Sequence, residues 1–146
     1  MSILRPAGPQ DAQRLWAMIE DGAAPGAPDA QTRQSALQEL LGTPEMGKIY
    51  LVGPTQAPVG FLALSFGFSV MHGGKTAAID QIFIRQRVRG RGLGGQILSA
   101  LPAALSEQGI RHLSAVVSTT DEATLRFFQK AGFTPCDGLD LLERRL

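Results

Sequence analysis

Residues 79–95 read Ile-Asp-Gln-Ile-Phe-Ile-Arg-Gln-Arg-Val-Arg-Gly-Arg-Gly-Leu-Gly-Gly, an apolar strand that passes through an arginine-studded turn into a glycine cluster. Leu93, Ile97, Leu101 and Leu105 then mark a helix that begins at once. A strand that feeds glycines into a helix start leaves several backbone N–H groups unpaired, and the positive end of the helix dipole adds to their pull on anions. The segment therefore predicts a phosphate-bearing cofactor against Arg89 to Gly95.

The rest of the chain is organised around that unit. Ser2 to Arg5 reads as a short strand, and Pro9 with Asp11 opens a helix whose apolar stripe is Ala12, Leu15, Trp16 and Ile19. Gly22 to Pro28 is a Gly/Ala/Pro loop, and a second helix is expected from about Asp29 to Leu41, stopped by Gly42 and Pro44. Two strands, Lys48 to Val52 and Val59 to Val70, precede a hairpin turn at His72-Gly73-Gly74 and a third strand from Thr76 to Ile84. Beyond the glycine helix, which contains Pro102 and ends near Gly109, Ile110 to Val117 reads as a strand parallel to the one before the turn. Thr119 and Glu122 form a capping-box pattern for a helix from about Asp121 to Ala131, closed by Gly132. Phe133 and Leu139 to Leu142 suggest one or two closing strands. The fold class is α/β, an α+β mixed sheet, in one domain over residues 1–146.

Composition excludes several classes. The net charge of +1 gives no electrostatic case for nucleic acid or an anionic membrane. One cysteine, Cys136, forbids an internal disulfide and suits a reducing cytoplasm. No signal-peptide core stands at the N-terminus, and no apolar run approaches the ~20 residues of a membrane span. His72 and His112 lie far apart and outside any Cys/His cluster, so no metal is expected.

Three cofactor patterns compete for the turn. The phosphate loop of nucleotide hydrolases requires Lys and then Ser or Thr after its last glycine, but Gln96 and Ile97 follow Gly95. Gly90, Gly92 and Gly95 fit the dinucleotide fingerprint G-x-G-x-x-G, yet that motif opens a run of strand–helix units and places an acid ~20 residues on. Here the motif comes late, and Arg111 and His112 occupy that place. The third pattern, [Arg/Gln]-x-x-Gly-x-[Gly/Ala], is matched by Arg89, Gly92 and Gly94.

With this pattern the chain resembles the GNAT superfamily of acetyl-CoA-dependent N-acetyltransferases. Ile79 to Ile84 resembles that family's central strand, and Asp121 to Phe133 resembles its C-terminal N-x-x-A-x-x-F-Y-x-x-x-G-F segment. Val59-Gly60-Phe61 with Phe66-Gly67-Phe68-Ser69 is similar to the same region in polyamine-type, small-molecule members. The resemblance implies a mostly antiparallel sheet with a central parallel strand pair, flanked by helices. It also implies that backbone amides of Arg89, Gly90, Arg91, Gly92, Leu93, Gly94 and Gly95 hold the coenzyme A diphosphate. Backbone groups of Ile82, Phe83 and Ile84 would pair with the pantetheine arm where two parallel strands part, and an N–H near Ile82 or Phe83 would polarise the thioester carbonyl. Asp121 and Phe128 fall on cofactor-lining positions of the C-terminal segment.

Asp80 stands where many relatives carry a catalytic glutamate, and strand alternation places it with Ile82 and Ile84, where partial burial would raise its pKa. The structural reading of Asp80 is a carboxylate paired with an arginine or capping a turn. Phe128 replaces the usual tyrosine acid, and Asp121 replaces the usual asparagine while being a sufficient N-cap in its own right. The resemblance thus implies transfer of acetyl from acetyl-CoA to a primary amine of a small molecule or peptide by direct attack. A catalytically impaired acyl-CoA-binding module is the alternative. A cytoplasmic protein, no metal and a possible homodimer complete these expectations.

Overall fold

A computed structural model describes residues 3–118 and 120–146. The chain divides into two units, residues 1–116 and 117–146. The first holds a five-stranded sheet in the order β1-β2-β3-β4-β5, formed by Leu4–Pro6, Gly47–Val52, Gly60–Ser69, Gly74–Ile84 and His112–Ala115. All neighbouring strands are antiparallel except β4 and β5, which are parallel. Helices α1 (Ala12–Asp21) and α2 (Ala30–Leu41) precede β2, and α3 (Leu93–Glu107) makes the crossover from β4 to β5. The mixed sheet with one parallel pair is the architecture that the sequence implies.

Alternation along β2 and β3 sends side chains into two cores. Tyr50, Val52, Leu62 and Leu64 pack with Ile97, Leu101 and Leu105 of α3. Ile49, Leu51, Phe61 and Ala63 pack with Leu15 and Met18 of α1 and Leu37 of α2. Strands buried on both faces need no polar alternation, so they read in the sequence as continuous apolar runs. Each fully buried Leu, Met or Phe side chain contributes about 1.5–3 kcal/mol, which makes these two layers the main source of stability. Tyr50 belongs to this core, with its hydroxyl 3.4 Å from Gln108 Nε2.

Local signals set the boundaries. Asp29 caps α2, its Oδ1 accepting from the Thr32 N–H at 2.8 Å. Asp11, only 2% exposed, accepts from the Gly8 N–H at 2.9 Å and meets Arg5 at 3.5 Å. It thereby anchors the start of α1. Gly60 answers a close approach, since a Cβ there would collide with the Phe83 carbonyl oxygen of β4. Pro102 lies within α3 on its exposed side, and the helix runs on to Glu107.

In the second unit, α4 spans Glu122–Lys130, and Gly132 follows with φ 96°. Asp121 is the N-cap, accepting from the Thr124 N–H; Thr119 of the expected capping box lies outside the described residues. Phe128 is buried, edge-on to Phe127 and Phe133 with centroids 5.4 and 5.2 Å away. The closing strands expected at Phe133 and Leu139–Leu142 do not form. Residues 133–146 contain no strand, and Leu139, Leu141 and Leu142 are exposed. An apolar run becomes a strand only beside a partner edge, and none of the described strands pairs with it.

Candidate active site at the parting of two parallel strands

Strand β4 changes character at Asp80. Against β3 the register jumps there: Leu64 opposes Ile79 and Ala63 opposes Gln81, so Asp80 is the extra residue of a β-bulge. Against β5 the pairing runs from Thr76↔His112 to Ile79↔Ala115 and goes no further. Asp80 thus has no cross-strand partner on either side, and residues 80–84 present an edge that no described strand covers.

The bulge also resets the faces. Ile79 packs in the α3 core together with Ile82 and Ile84, although strict alternation would place it opposite them. Asp80 itself is exposed, which corrects the expectation of partial burial beside Ile82 and Ile84. It carries no hydrogen bond or ion pair among the described residues, so it is not the arginine-paired carboxylate of the structural reading.

Backbone direction along the open edge follows from two bonds. The Arg85 N–H donates to the Val59 carbonyl at 2.8 Å. Alternation then turns the backbone groups of Phe83 toward β3 and those of Ile82 and Ile84 toward the free edge. Arg89 Nε donates to the Ile84 carbonyl at 2.8 Å, and its guanidinium lies 5.8 Å over the Phe83 ring. Arg89 therefore latches the turn to the strand end through the Ile84 carbonyl, and the N–H groups of Ile82 and Ile84 are left as donors along the free edge. Phe83 contributes its side chain to the core, 5.8 Å from the Phe61 ring.

The turn exposes a run of unpaired main-chain donors. Gly90 and Gly92 have φ of 80° and 78°, a left-handed geometry that L side chains rarely adopt. Gly92 is the N-cap of α3 and has no side-chain cap, and the first helical bond is Gln96 N–H to Gly92 carbonyl at 3.1 Å. The N–H groups of Leu93, Gly94 and Gly95 consequently have no helical acceptor. A Cβ at Gly90, Gly92 or Gly95 would meet nothing within 4 Å, so no side chain of the protein crowds the turn at these positions. Arg91 is exposed beside them. Free amides at a dipole's positive end, with no side chain crowding the glycines, fit a diphosphate. The uncovered edge of β4 fits an extended arm that pairs like an added strand.

Asp121 has its oxygens engaged by Thr124, with Oδ1 3.1 Å from the amide and Oδ2 2.7 Å from the hydroxyl. Those two bonds, the hydroxyl's first, hold its pKa below the ordinary aspartate value. Cys136 is exposed with its thiol free. Among the described residues no group of three or more His, Cys, Asp or Glu could hold a metal. No helix among them is long and apolar enough to cross a membrane.

A cavity of about 380 Å³ lies beside this edge, over the first half of β4. Register aligns its floor in two rows, Gly67–Thr76–His112 and Ser65–Ala78–Ser114. Beyond Leu64 only Phe66 still packs against the α3 core, and β3 is largely exposed from Ser65 onward. His72 and His112 stack over one end, centroids 3.6 Å apart and planes at 22°. The sequence places these histidines 40 positions apart; the hairpin turn and the parallel register bring them together. Only a reading of that register could have found them.

The sequence profile of the acetyltransferase (GNAT) family matches residues 12–133. Among solved structures, an integron cassette protein from the mobile metagenome of Cole Harbour Salt Marsh is 28% identical. Its TM-score is 0.83, over 99% of this chain and 90% of that one. A candidate acetyltransferase from Arthrobacter sp. FB24 is 29% identical over 100% and 97%, TM-score 0.81. An aminoglycoside acetyltransferase, AAC(6')-Iy, solved with a bisubstrate analogue CoA-S-monomethyl-acetylneamine, shares the fold at TM-score 0.81. It is 17% identical over 98% and 97%. No curated protein matches the chain. The amide turn, the parted strands and the family profile lead to one conclusion: this chain belongs to the GNAT family of acetyltransferases, enzymes whose co-substrate is acetyl-CoA.

Proposed function

We propose that this protein transfers acetyl from acetyl-CoA to a primary amine of a small molecule by direct attack, as one acetyltransferase domain over residues 1–146. Acetyl-CoA, when bound, supplies the acyl group as a thioester whose cleavage releases a thiol. The chain's own residues do the rest. The amides of Leu93, Gly94 and Gly95 grip the diphosphate, and the Ile82 N–H donates to the oxygen on which charge builds. An alkyl ammonium with a pKa of about 10 must lose a proton before it can attack. Asp80, exposed and unpaired where β4 leaves β5, accepts that proton directly or through water. The new C–N bond forms as the C–S bond breaks, the nitrogen sheds its second proton to water, and the departing thiolate takes a proton from solvent, because Phe128 has none to give.

The observation that carries this reading is the coincidence at Asp80 of a bulge, an unpaired carboxylate and the start of the free edge. Support for a small-molecule acceptor comes from the AAC(6')-Iy likeness and from Phe66, Gly67 and Ser69, part of the polyamine-type resemblance, which line the cavity. The test is an amine screen with acetyl-CoA, followed by thiol release. Transfer to any small amine supports the reading; acetyl-CoA binding with no transfer across the screen supports the impaired module that Phe128 suggests.

A further inference from the structure

We infer that the cavity over β3, β4 and β5 is the acceptor pocket and that it selects amines carrying an oxyanion, carboxylate or phosphate-like, at the end remote from the amine. This assignment rests on the acetyl-transfer reading above and narrows it from amines in general.

The lining mixes polar and apolar groups but holds no carboxylate: its ionisable members are His72 and His112 alone, among four hydroxyls, the Phe66 ring and small residues. A polyamine would meet nothing there to neutralise its second ammonium. An oxyanion would meet donors. Imidazole N–H groups and the hydroxyls of Ser65, Thr76 and Ser114 can each give a hydrogen bond, and bonds to an ionised acceptor are about twice as strong as neutral ones. The charged residues adjoining Thr76 and His112 in the chain, Lys75 and Arg111, are both cationic and add a favourable field.

The pocket is also preorganised. Ser69 Oγ lies 3.2 Å from both the backbone N and Nδ1 of His72, which fixes that ring at the hairpin tip. His112 stacks beneath it from a strand held in register by Thr76. Gly67 and Ala78 keep the floor low, and the space exists because no larger side chain fills it. Asp80 stands two residues past Ala78, about 7 Å along the strand, and a further two from the Thr76 row. A ligand with its oxyanion at the histidines and its amine at Asp80 needs several bonds between the two. That favours an ω-amino acid over an α-amino acid.

The experiment is a matched panel at equal chain length: 6-aminohexanoate, 1,6-diaminohexane, 6-amino-1-hexanol and an aminoalkyl phosphonate, each with acetyl-CoA. The oxyanion members are expected to exceed the diamine and the alcohol in kcat/KM by about 10-fold or more, the worth of one or two hydrogen bonds to a charge. The carboxylate-to-phosphonate ratio identifies which oxyanion. His72→Ala, at an exposed turn, and His112→Asn should each shrink that preference, while the CoA Kd by calorimetry and the Tm stay unchanged. A preference for the diamine or the alcohol, or discrimination that survives both substitutions, overturns the assignment. So does calorimetry showing that 6-aminohexanoate does not bind the CoA complex. An unaltered protein with no affinity for CoA would instead overturn the acetyl-transfer reading, and this assignment with it.

Discussion

The turn before α3 and the cavity over β3–β5 adjoin the same strand, yet they are made of opposite materials. The turn offers main-chain amides and needs only glycines that allow the backbone its left-handed steps. The cavity offers side chains contributed by three strands and a hairpin tip. Main-chain donors do not depend on side-chain identity so long as the path is kept, so the cofactor end tolerates neutral change away from the glycines that set that path. The acceptor end can be rewritten one residue at a time without disturbing the fold. In such a design the co-substrate stays constant while the specificity varies.

Asp80 stands where the two regions meet, and its loss should have the largest effect. Asp80→Asn is expected to lower kcat by about 100-fold or more at neutral pH, the usual scale of a positioned base. The deficit should narrow as pH nears the amine's own pKa, since free amine then needs no base. A uniform loss across the pH profile would remove Asp80 from proton transfer. Gly95→Asp tests the cofactor side alone. Its φ is ordinary and its Cβ direction is open, and an acid in the first turn suits the helix dipole, so Tm should hold or rise. The same charge beside a diphosphate should weaken CoA by about 100-fold, from a few kcal/mol of repulsion. Ala78→Leu tests the other side: it should raise KM for the acceptor by about 10-fold through lost space, with the CoA Kd unchanged. If both constants move together, the two regions are not separable.

A small effect belongs to the helix caps. Thr32 bonds hold the Asp29 pKa below 3.8, so the carboxylate's contribution is present above that pH and fades as pH falls through the lowered value. Asp29→Asn should leave the Tm at pH 7 nearly unchanged, because Asn caps as well as Asp, and should flatten the acid limb of a Tm-against-pH curve. An unaltered acid limb would assign it to other carboxylates.

What the sequence revealed divides along the same line. The turn was legible because its signal is local: the strand end, the arginine turn and the glycines lie within 17 residues, and the helix spacing follows at once. The helix from about Asp29 to Leu41 and its stop at Gly42 were legible for the same reason, through local spacing and a helix-ending glycine. The bulge at Asp80 was not, since it exists only relative to β3, and nothing within 79–82 announces which residue the partner strand will skip. The histidine stack depended on the offset between β4 and β5, a long-range quantity. Leu139 to Leu142 misled because hydrophobicity reports a wish for burial without reporting a neighbour.

The bond from Arg89 to the last carbonyl of β4 has a mechanical consequence. In the proposed placement it would tie the diphosphate cradle to the strand edge, so that grip at the far end of the coenzyme would set how deeply the reactive end is seated. A truncated donor such as acetyl-pantetheine should then react slowly even at saturation, rather than merely bind weakly. Cutting that tie with Arg89→Ala should make the full-length donor behave more like the truncated one.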